Sequence, residues 1–523
     1  MQCVTKALVV LSAATAAVQA AVVTYNWNIT YVNTNADGLF ERRIISINGQ
    51  FPPPAINVML NDTLVINTGT YWIHGHHKGH YVDGLRAPLI IHNPNEAYHY
   101  DNEYTIAFAG MFLADDWYHQ EHAVLLAQYL SIFNPSGAEP IPQSGLINQA
   151  TDQKFQFVPG KTYRLRVINM SALAMFHFHI DGHDMQTIEI DGVDVVRTPV
   201  ASFPVSAAQR YSVLVTAKNS TANYLLHGDM NPMMFDSVPA GLQLNVTGMI
   251  VYSDSAPLAP EETSEWPDFE DATITAITPK PTTAPNTQYV LNAAFSVLDD
   301  YINKAAFNDI TYMMPKHPLI LAHNDMIEIV INNQDAGNHP FHLHGHVFQV
   351  VGRGDGVYDP ASGPYPFHFN TTENPLRRDT VLVRSEQNLA IRFKADNPGA
   401  WFFHCHIEWH LQAGLATTMI EAPEAMAGVL TVDPKHFEQC KALGIPYEGN
   451  AAGNQGLGLT GQNVGPNPLS GTFTAKGNVA LVFTIIAALM GLATVIWYAH
   501  DDEVTSIRRR DKKRKTKTEE ITH

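Results

Sequence analysis

The sequence predicts an all-β protein made of β-sandwich domains, followed by a single apolar helix near the C-terminus. Short alternating or apolar runs recur, and clusters of Pro, Gly, Asn and Asp separate them, as in a series of sandwich strands. No long segment before the C-terminal helix keeps a helical period. The clearest strand candidates are Thr24–Tyr31, Thr63–Asn67, Tyr163–Ile168, Tyr211–Ala217 and Leu389–Phe393.

The composition narrows the class of protein. Of the 523 residues, 45% are apolar and 16% are charged, so the chain can bury several domain cores and is not a disordered protein. A net charge of −18 argues against binding to a phosphate backbone, and we expect no nucleic-acid partner. Only three cysteines are present, which excludes a disulfide scaffold, whereas 25 histidines occur, many of them in clusters.

The N-terminus has the features of a secretory signal. Lys6 precedes an apolar run, and Val18-Gln19-Ala20 offers a small-residue cleavage site, so residues 1–20 are predicted to be a signal peptide. A buried N-terminal strand is the alternative. Six Asn-x-Ser/Thr acceptors fit a secreted glycoprotein. They are Asn28, Asn61, Asn169, Asn219, Asn245 and Asn370.

A membrane anchor is predicted near the C-terminus. Val479–Ala499 contains 21 uncharged, mostly apolar residues, close to the roughly 20 that cross a bilayer as a helix. Trp497 and Tyr498 lie at its end, and the basic cluster Arg508–Lys517 follows. Because basic flanks stay in the cytosol, we expect a single-pass type I protein with its N-terminal domains outside. A buried core helix is the alternative.

Changes in composition suggest the domain boundaries. Between the signal and the anchor the chain divides into three blocks, an acidic connector rich in Pro and Thr, and a stalk rich in Gly and Asn. The predicted segments are 21–100, 101–256, the connector 257–285, 286–428, the stalk 429–478, the transmembrane helix 479–499 and the cytosolic tail 500–523.

Two histidine motifs in the third block carry the strongest chemical signal. The first is His339-Pro-Phe-His342-Leu-His344, and the second runs from His404-Cys405-His406 to His410. Side chains two residues apart in a strand face the same way. His404 and His406 therefore face one side of their strand and Cys405 the other, so that one strand can serve two metal sites.

The donor types favour copper. A thiolate with two imidazoles and a weak or absent axial ligand is the blue-copper arrangement, and Cys405, His339 and His410 can supply it. The apolar Leu415 stands where a weak axial sulfur could otherwise lie. Zinc is the rival metal, but zinc does not explain a cysteine between two histidines with another histidine five positions on.

A third histidine cluster occurs in the first block. His74 and His76 share one face of a strand. They could complete a site with His344, His404 and His406.

With these motifs the chain resembles the multicopper oxidases, and among them the fungal plasma-membrane ferroxidases of high-affinity iron uptake. The likeness extends from Asn26 to about Pro423. It includes Asn48-Gly49-Gln50-Phe51-Pro52, Asp83-Gly84-Leu85-Arg86 and Arg392-Phe393-Lys394-Ala395-Asp396-Asn397-Pro398-Gly399. The resemblance implies three cupredoxin-like β-sandwich domains, with a trinuclear copper cluster between the first and the third.

The resemblance also implies the ligand sets and the reaction. Four copper ions are expected, and they would couple one-electron oxidation of substrate to four-electron reduction of O2 to water. The implied ligands are His339, Cys405 and His410 for type 1 copper, His342 for type 2 copper, and His74, His76, His344, His404 and His406 for the type 3 pair.

The sequence departs from the family in its first domain. A His-x-His-Gly motif that supplies one type 2 and one type 3 ligand is absent, because Thr63–Asn67 runs directly into Gly69. The first domain is therefore predicted to be truncated and the type 2 site incomplete. A mis-spliced gene model and a genuinely altered enzyme are the two explanations. Cys440 would then have lost the first-domain partner that many relatives provide.

The resemblance implies Fe(II) as the reducing substrate. Relatives place a carboxylate four residues before the first type 1 histidine, where this chain has Asp335, and a second on a second-domain loop, which we assign to Asp181. A membrane iron permease is the expected partner, at the plasma membrane or a vacuolar-type membrane. The alternatives are a laccase-like oxidase of phenols and an inactive copper-binding surface glycoprotein.

Overall fold

The computed structural model describes most of the region between the two predicted targeting segments, and the C-terminal helix. The described residues are 28–39, 41–54, 56–59, 68–76, 79–111, 139–235, 237–262, 269–293, 318–366, 373–412, 415–429, 432, 434–444, 447–449, 454–455 and 475–519. The predicted signal peptide, the strand Thr63–Asn67, Asn61 and Asn370 lie outside them. The chain forms two compact units, 1–297 with 311–460, and 298–310 with 461–523.

The first block contributes two small sheets. β1 pairs with β2 in antiparallel fashion, and a three-stranded sheet has the order β3-β5-β4. The strands are β1 Ile29–Thr34, β2 Arg42–Ile47, β3 Ile56–Met59, β4 Gly69–His74 and β5 Arg86–His92. The alternation expected for Thr24–Tyr31 continues into β1, whose exposed and half-buried residues alternate along the strand.

The second block forms a β-sandwich. Its six-stranded sheet has the order β12-β11-β14-β9-β6-β7, and its five-stranded sheet has the order β13-β10-β15-β16-β8. The strands are β6 Asn102–Met111, β7 Ser144–Ile147, β8 Lys154–Gln156, β9 Thr162–Asn169, β10 Phe176–Ile180, β11 Met185–Ile190, β12 Val193–Val200, β13 Phe203–Val205, β14 Arg210–Thr216, β15 Tyr224–Met230 and β16 Asn245–Val251.

The third block is a second sandwich, made of two five-stranded sheets. Their orders are β17-β19-β24-β21-β22 and β18-β26-β25-β20-β23. The strands are β17 Thr287–Ala293, β18 Leu319–Leu321, β19 Met326–Asn333, β20 His339–Leu343, β21 Phe348–Asp355, β22 Arg377–Arg378, β23 Thr380–Val383, β24 Gln387–Lys394, β25 Gly399–Cys405 and β26 Ala416–Glu421.

The strand predictions at Tyr163–Ile168, Tyr211–Ala217 and Leu389–Phe393 are confirmed by β9, β14 and β24. These strands are buried along almost their whole length, which explains their apolar runs. One hydrophobic cluster extends through both sandwiches and includes Phe176 and Phe403.

Helices are few and short in the described part of the first unit. They are α1 Glu408–Gln412, α2 Pro423–Val429 and α3 Pro434–Leu443, and three 3-10 turns lie at Pro232–Met234, Asp271–Thr273 and Pro360–Ser362. The helix α3 lies within residues 429–478, before the Gly- and Asn-rich part of the predicted stalk. Cys440 on α3 is a free thiol, and its Sγ lies 3.7 Å from Nε2 of His436.

The described part of the second unit is one long helix, α4 Ala475–Glu519. Its window Leu481–Tyr498 has a mean hydropathy of 2.2 and is not buried within the protein. By length and composition this window can cross a membrane. The helix extends beyond the predicted span 479–499 and includes the basic cluster at 508–517.

One predicted glycosylation acceptor is excluded by the fold. Asn169 is fully buried, and its amide donates hydrogen bonds of 2.7 Å to the carbonyls of Ala174 and Val205. Its side chain holds the turn after β9 and cannot carry a glycan in the folded protein. Asn28, Asn219 and Asn245 are exposed.

Candidate metal centre

Three donor side chains from the third sandwich converge in a buried thiolate site, formed by Cys405, His339 and His410. The Sγ of Cys405 lies 3.6 Å from Nδ1 of His339 and 3.5 Å from Nδ1 of His410. Cys405 ends β25, His339 begins the neighbouring β20, and His410 lies on α1, the short helix that follows β25. The chain reversal between β25 and α1 therefore returns His410 to the thiol.

Leu415 borders this site. Its side chain is completely buried, its backbone N–H donates to the carbonyl of His410 at 2.9 Å, and its carbonyl accepts from the N–H of Cys405 at 3.0 Å. An apolar side chain is thus held next to two of the three donors. It offers no sulfur or oxygen as a fourth ligand.

Carboxylates cover the outer nitrogens of both thiolate-site histidines. Nε2 of His339 lies 3.0 Å from Oδ2 of Asp335, and Nε2 of His410 is hydrogen-bonded to the carboxylate of Glu139. The side chains of Asp335 and Glu139 are each about one-fifth exposed, whereas the two imidazoles are buried. Each acid therefore lies between the solvent and a buried histidine of the thiolate site.

These contacts influence protonation. Burial disfavours charge on His410, but the Glu139 carboxylate and Cys405 outweigh it and raise the pKa of His410 to about 10. Burial opposes ionisation of Cys405, yet His410 and the hydrogen bond from His339 lower the pKa of this thiol to about 7. The arrangement therefore favours the thiolate, the form that binds metal.

Six histidines form a second group on the opposite face of β25, called here the histidine cluster. They are His74, His76, His342, His344, His404 and His406. In the register of β20 with β25, His342 lies opposite His404 and Phe341 lies opposite Cys405. The predicted alternation is therefore observed, since Cys405 and its two flanking histidines serve different sites.

Within the histidine cluster, three side chains form a complete donor set. One nitrogen from each of His76, His344 and His404 lies within 4.8 Å of the others, and Nε2 of His344 is 3.2 Å from Nε2 of His404. Nδ1 of His404 lies 2.8 Å from the carbonyl oxygen of Cys405. Because a carbonyl only accepts, Nδ1 carries the proton and Nε2 keeps its lone pair.

The other three histidines form incomplete sets. Nε2 of His74 and Nε2 of His406 lie 3.3 Å apart, as a pair without a third nitrogen in a described donor group. Nδ1 of His342 lies 2.9 Å from the carbonyl oxygen of Asp379. Because a carbonyl oxygen only accepts, Nδ1 carries the proton and Nε2 keeps the lone pair that can bind a metal. Among the described residues, these three histidines therefore belong to no complete donor set.

Burial favours the neutral form of five histidines in the cluster. It lowers the pKa of His76 to about 4 and that of His344 to about 3, and neighbouring imidazoles lower both further. The same causes hold the pKa values of His74, His404 and His406 well below the ordinary value. Neutral imidazoles are the metal-binding form, so the donors are available at neutral pH.

Asp181 does not belong to the thiolate site, and its assignment there was wrong. It follows the last residue of β10, with Oδ1 3.1 Å from Nε2 of His227. Met175, at the other end of β10, shares a cavity with Asn338, the neighbour of His339. Five strand residues separate these two ends, a length of roughly 17 Å, so Asp181 lies away from the thiolate site.

Glu139 takes the place that sequence reasoning gave to Asp181. It precedes Pro140 in a segment without alternation or a helical period, so nothing local distinguished it from a loop acid. The one available signal was its position within a second-domain segment rich in Pro and Gly, before the strand β7. Only the packing of this segment against α1 reveals its contact with His410.

The ligand atoms at the two sites are of the types that copper prefers. A buried thiolate with two imidazole nitrogens and an apolar neighbour is the set for a blue-copper ion, so the thiolate site fits. The imidazole nitrogens of the histidine cluster suit copper as well, with one complete trio and two incomplete sets. The residues present therefore fit copper fully at the first site and in part at the second.

Comparisons with known proteins agree with this donor chemistry. The family model described as multicopper oxidase matches residues 108–255, and a second model with the same description matches 279–425. The structure of Fet3p, a multicopper oxidase that functions in iron import, is similar with a TM-score of 0.70 and 30% identity, covering 82% of this chain and 96% of that one. A laccase from Botrytis aclada shares the fold, with a TM-score of 0.65 and 23% identity.

Two curated relatives are similar over nearly their whole length. The iron multicopper oxidase fer1 of Mycosarcoma maydis is 38% identical, covering 92% of this chain and 93% of its own. The iron transport multicopper oxidase FET3 of Saccharomyces cerevisiae is 34% identical, covering 92% and 89%. The alignment with fer1 runs over 593 positions, more than the 523 residues of this chain, so fer1 has segments that this chain lacks. The chain belongs to the multicopper oxidase family, whose cofactor is copper.

Proposed function

We propose that this protein is a ferroxidase of high-affinity iron uptake, which oxidises Fe(II) and passes the electrons to O2. The single observation that carries the proposal is the pair of carboxylates, Asp335 and Glu139, hydrogen-bonded to the outer nitrogens of His339 and His410. Relatives named as iron transport oxidases support it.

Carboxylates at this position suit iron as the donor. Hard oxygen ligands prefer Fe(III) to Fe(II), so binding at Asp335 and Glu139 favours loss of an electron. Both acids are partly exposed, which allows an aqueous metal ion to reach them. Each contacts a histidine of the thiolate site, and the imidazoles of His339 and His410 connect the iron position to Cys405.

The copper ligands follow from the same geometry. We assign Cys405, His339 and His410 as the residues that would hold type 1 copper, with the apolar Leu415 beside them. The cluster would hold type 3 copper at His74, His76, His344, His404 and His406, and type 2 copper at His342. When bound, copper accepts single electrons at the first site and supports reduction of O2 to water at the second.

The chain's own residues link the two sites. Cys405 lies between His404 and His406, so one short covalent segment joins the thiolate site to the histidine cluster. The buried position of Cys405 keeps water away from this segment. Electrons that enter beside Asp335 or Glu139 therefore have a direct covalent route across β25.

The helix Ala475–Glu519 supports anchoring in a membrane. We infer a type I orientation at the plasma membrane, with the basic residues after Tyr498 in the cytosol. A tether of this kind keeps Fe(III) close to its site of release. A membrane iron permease is the partner that such an arrangement would serve.

Fe(II) kinetics of carboxylate variants test the proposal. We expect the Asp335→Ala and Glu139→Ala variants to raise the KM for Fe(II) by about 10-fold or more, with unchanged phenol turnover. Asp396→Ala, which removes an exposed carboxylate of the same domain, is the matched control. Equal losses with Fe(II) and phenols, or no loss with either, would contradict the role of these acids.

A laccase-like oxidase is the second candidate, because a cavity of about 320 Å³ lies beside Asn338. Its lining combines the apolar Met175, Phe269 and Leu382 with polar side chains such as Asp271 and Arg353, a mixture that can hold and orient an aromatic substrate. Fast turnover of phenols with slow turnover of Fe(II) in the copper-loaded protein would favour this candidate. Blue absorption without oxygen consumption would indicate the inactive copper-binding glycoprotein instead.

A further inference from the structure

The second sandwich contains another group of metal donors, separate from both sites described above. It consists of His179, Asp181 and His227, whose donor atoms lie within 4.8 Å of one another. His179 lies on β10, Asp181 directly follows that strand, and His227 is the cross-strand partner of His179 on β15. All three are buried, with exposures of 6%, 1% and 1%.

The carboxylate of Asp181 is the unusual member of this group. Oδ1 lies 3.1 Å from Nε2 of His227 and 4.0 Å from Nε2 of His179. Neither carboxylate oxygen, nor Nε2 of His227, has hydrogen-bond geometry with a partner in the part of the chain that the structure describes. A buried carboxylate without hydrogen bonds is strongly unfavourable unless a cation compensates it.

A neighbouring amide orients His227 as a metal ligand. Nδ1 of His227 lies 3.0 Å from Oδ1 of Asn245, and the Nδ2 of the same amide donates to Glu261 at 3.0 Å. Because the amide nitrogen faces a carboxylate, the amide oxygen faces the imidazole and accepts its proton. His227 therefore keeps its lone pair on Nε2, directed at Asp181.

His179 completes the set from the adjacent strand. Its ring stacks on that of His227, with centroids 4.3 Å apart and an interplanar angle of 4°, so both imidazoles approach Asp181 side by side. Oδ2 of Asp229 lies 3.7 Å from Nδ1 of His179, beyond hydrogen-bond distance. Burial, together with His227, lowers the pKa of His179 to about 4, so the ring is neutral at neutral pH.

We propose that His179, Asp181 and His227 bind one divalent transition-metal ion of the zinc class. Two imidazole nitrogens and one carboxylate oxygen are a common donor set for such ions. Tetrahedral coordination needs donors about 3.4 Å apart, and the separations of 3.1 and 4.0 Å lie on either side of this value. The ion would join β10 to β15 and stabilise the second sandwich.

Zinc binding to the copper-loaded, full-length protein tests this site. After equilibration with Zn²⁺ and removal of free metal, we expect one zinc per chain and a higher unfolding temperature. Asp181→Asn and His227→Gln should each weaken zinc binding by about 10-fold or more and abolish the rise in unfolding temperature. The two substitutions test the site independently, because Asp181→Asn changes the carboxylate donor and His227→Gln changes an imidazole donor.

His183→Gln is the matched control. His183 is a buried histidine two residues from Asp181, and its nitrogens contact the backbone carbonyl of Asp181 and the hydroxyl of Tyr252. It offers no donor atom to the group formed by His179, Asp181 and His227, so this variant should retain zinc. Zinc bound at the incomplete histidine cluster would be the same in all variants and would not produce the difference. No zinc in the parent protein, or equal zinc in the parent and Asp181→Asn, would overturn the proposal in favour of a buried ion pair only.

Discussion

The backbone N–H of Thr70 donates a 2.6 Å hydrogen bond to Oε1 of Glu189, and its hydroxyl donates a 2.8 Å bond to Oε2. This carboxylate on β11 therefore holds β4, the strand that ends at His74. The Nε of Arg210 donates to the carbonyl of Thr70 at 2.9 Å and so holds the same residue from β14. The histidines of the first block thus depend on charged groups of the second sandwich for their position.

Removing the charge of Glu189 should destabilise the protein. Glu189 is buried and contacts Arg164 at 2.5 Å and Arg166 at 3.7 Å, so Glu189→Gln leaves two buried guanidinium groups with less compensation. We expect a loss of about 3 kcal/mol in the free energy of unfolding, measured by urea denaturation.

Glu96→Gln is the matched control for this change. Glu96 contacts the same Arg164 at 2.7 Å, but its side chain is 22% exposed, so its loss should lower the free energy of unfolding by less than about 1 kcal/mol. Similar effects of the two substitutions would show that burial of Glu189 does not determine its contribution.

Acid should weaken the same contact. Burial favours the neutral form of Glu189, but Arg164 and Arg166 outweigh it and lower the pKa to about 2, from 4.5. A carboxyl group whose pKa is depressed in the folded state stabilises it above the unfolded pKa, and this contribution is lost as pH falls towards the folded value. The difference in free energy of unfolding between parent and Glu189→Gln should therefore shrink from pH 5 to pH 3. A constant difference over this range would contradict a lowered pKa of Glu189 in the folded protein.

Leu415→Met should lower the reduction potential of the thiolate site. A weak axial sulfur stabilises oxidised copper, and the change nearly conserves volume, so packing should persist. We expect a decrease on the order of 60 mV, which is about tenfold in a one-electron equilibrium, in a redox titration of the blue absorption.

Leu389→Met, also at a fully buried leucine of the third sandwich, controls for general effects of methionine. It should leave the potential unchanged. An equal shift in both variants would argue against an axial position for Leu415.

Adding the first-domain segment that the resemblance implies should increase oxygen reduction. His74, His406 and His342 belong to no complete donor set among the described residues. We therefore expect this chain to form the blue copper site but to consume O2 slowly. A variant with a relative's His-x-His-Gly segment inserted before Gly69 should bind more copper and consume O2 about 10-fold faster or more. Equal oxygen consumption per blue copper in both chains would show that the segment is dispensable.

Glycosylation should follow exposure. We expect glycans on Asn219 but none on Asn169, because the Asn169 amide is buried and holds the carbonyls of Ala174 and Val205. Peptide mass spectrometry of protein secreted from a eukaryotic host measures occupancy at each site. A glycan on Asn169 would show that this turn is exposed when the enzyme of glycosylation acts.

Much of the metal centre could be predicted from sequence because its geometry is local. Alternation along β25 alone directs Cys405 to one face and its two neighbouring histidines to the other, and the structure shows this separation. The apolar runs of β9, β14 and β24 were equally readable, since buried strands need apolar side chains on both faces.

Contacts between distant segments were decided only by the tertiary structure. No local pattern distinguishes Glu139 from Asp181, yet packing brings Glu139 to His410 and leaves Asp181 beside His227. Burial of Asn169 likewise depends on the turn that packs around it. The sequence by itself determined the donor types and the faces they share, because strand periodicity is a property of adjacent residues. Which acids meet those donors depended on how the sandwiches pack, because such contacts join residues far apart in the chain.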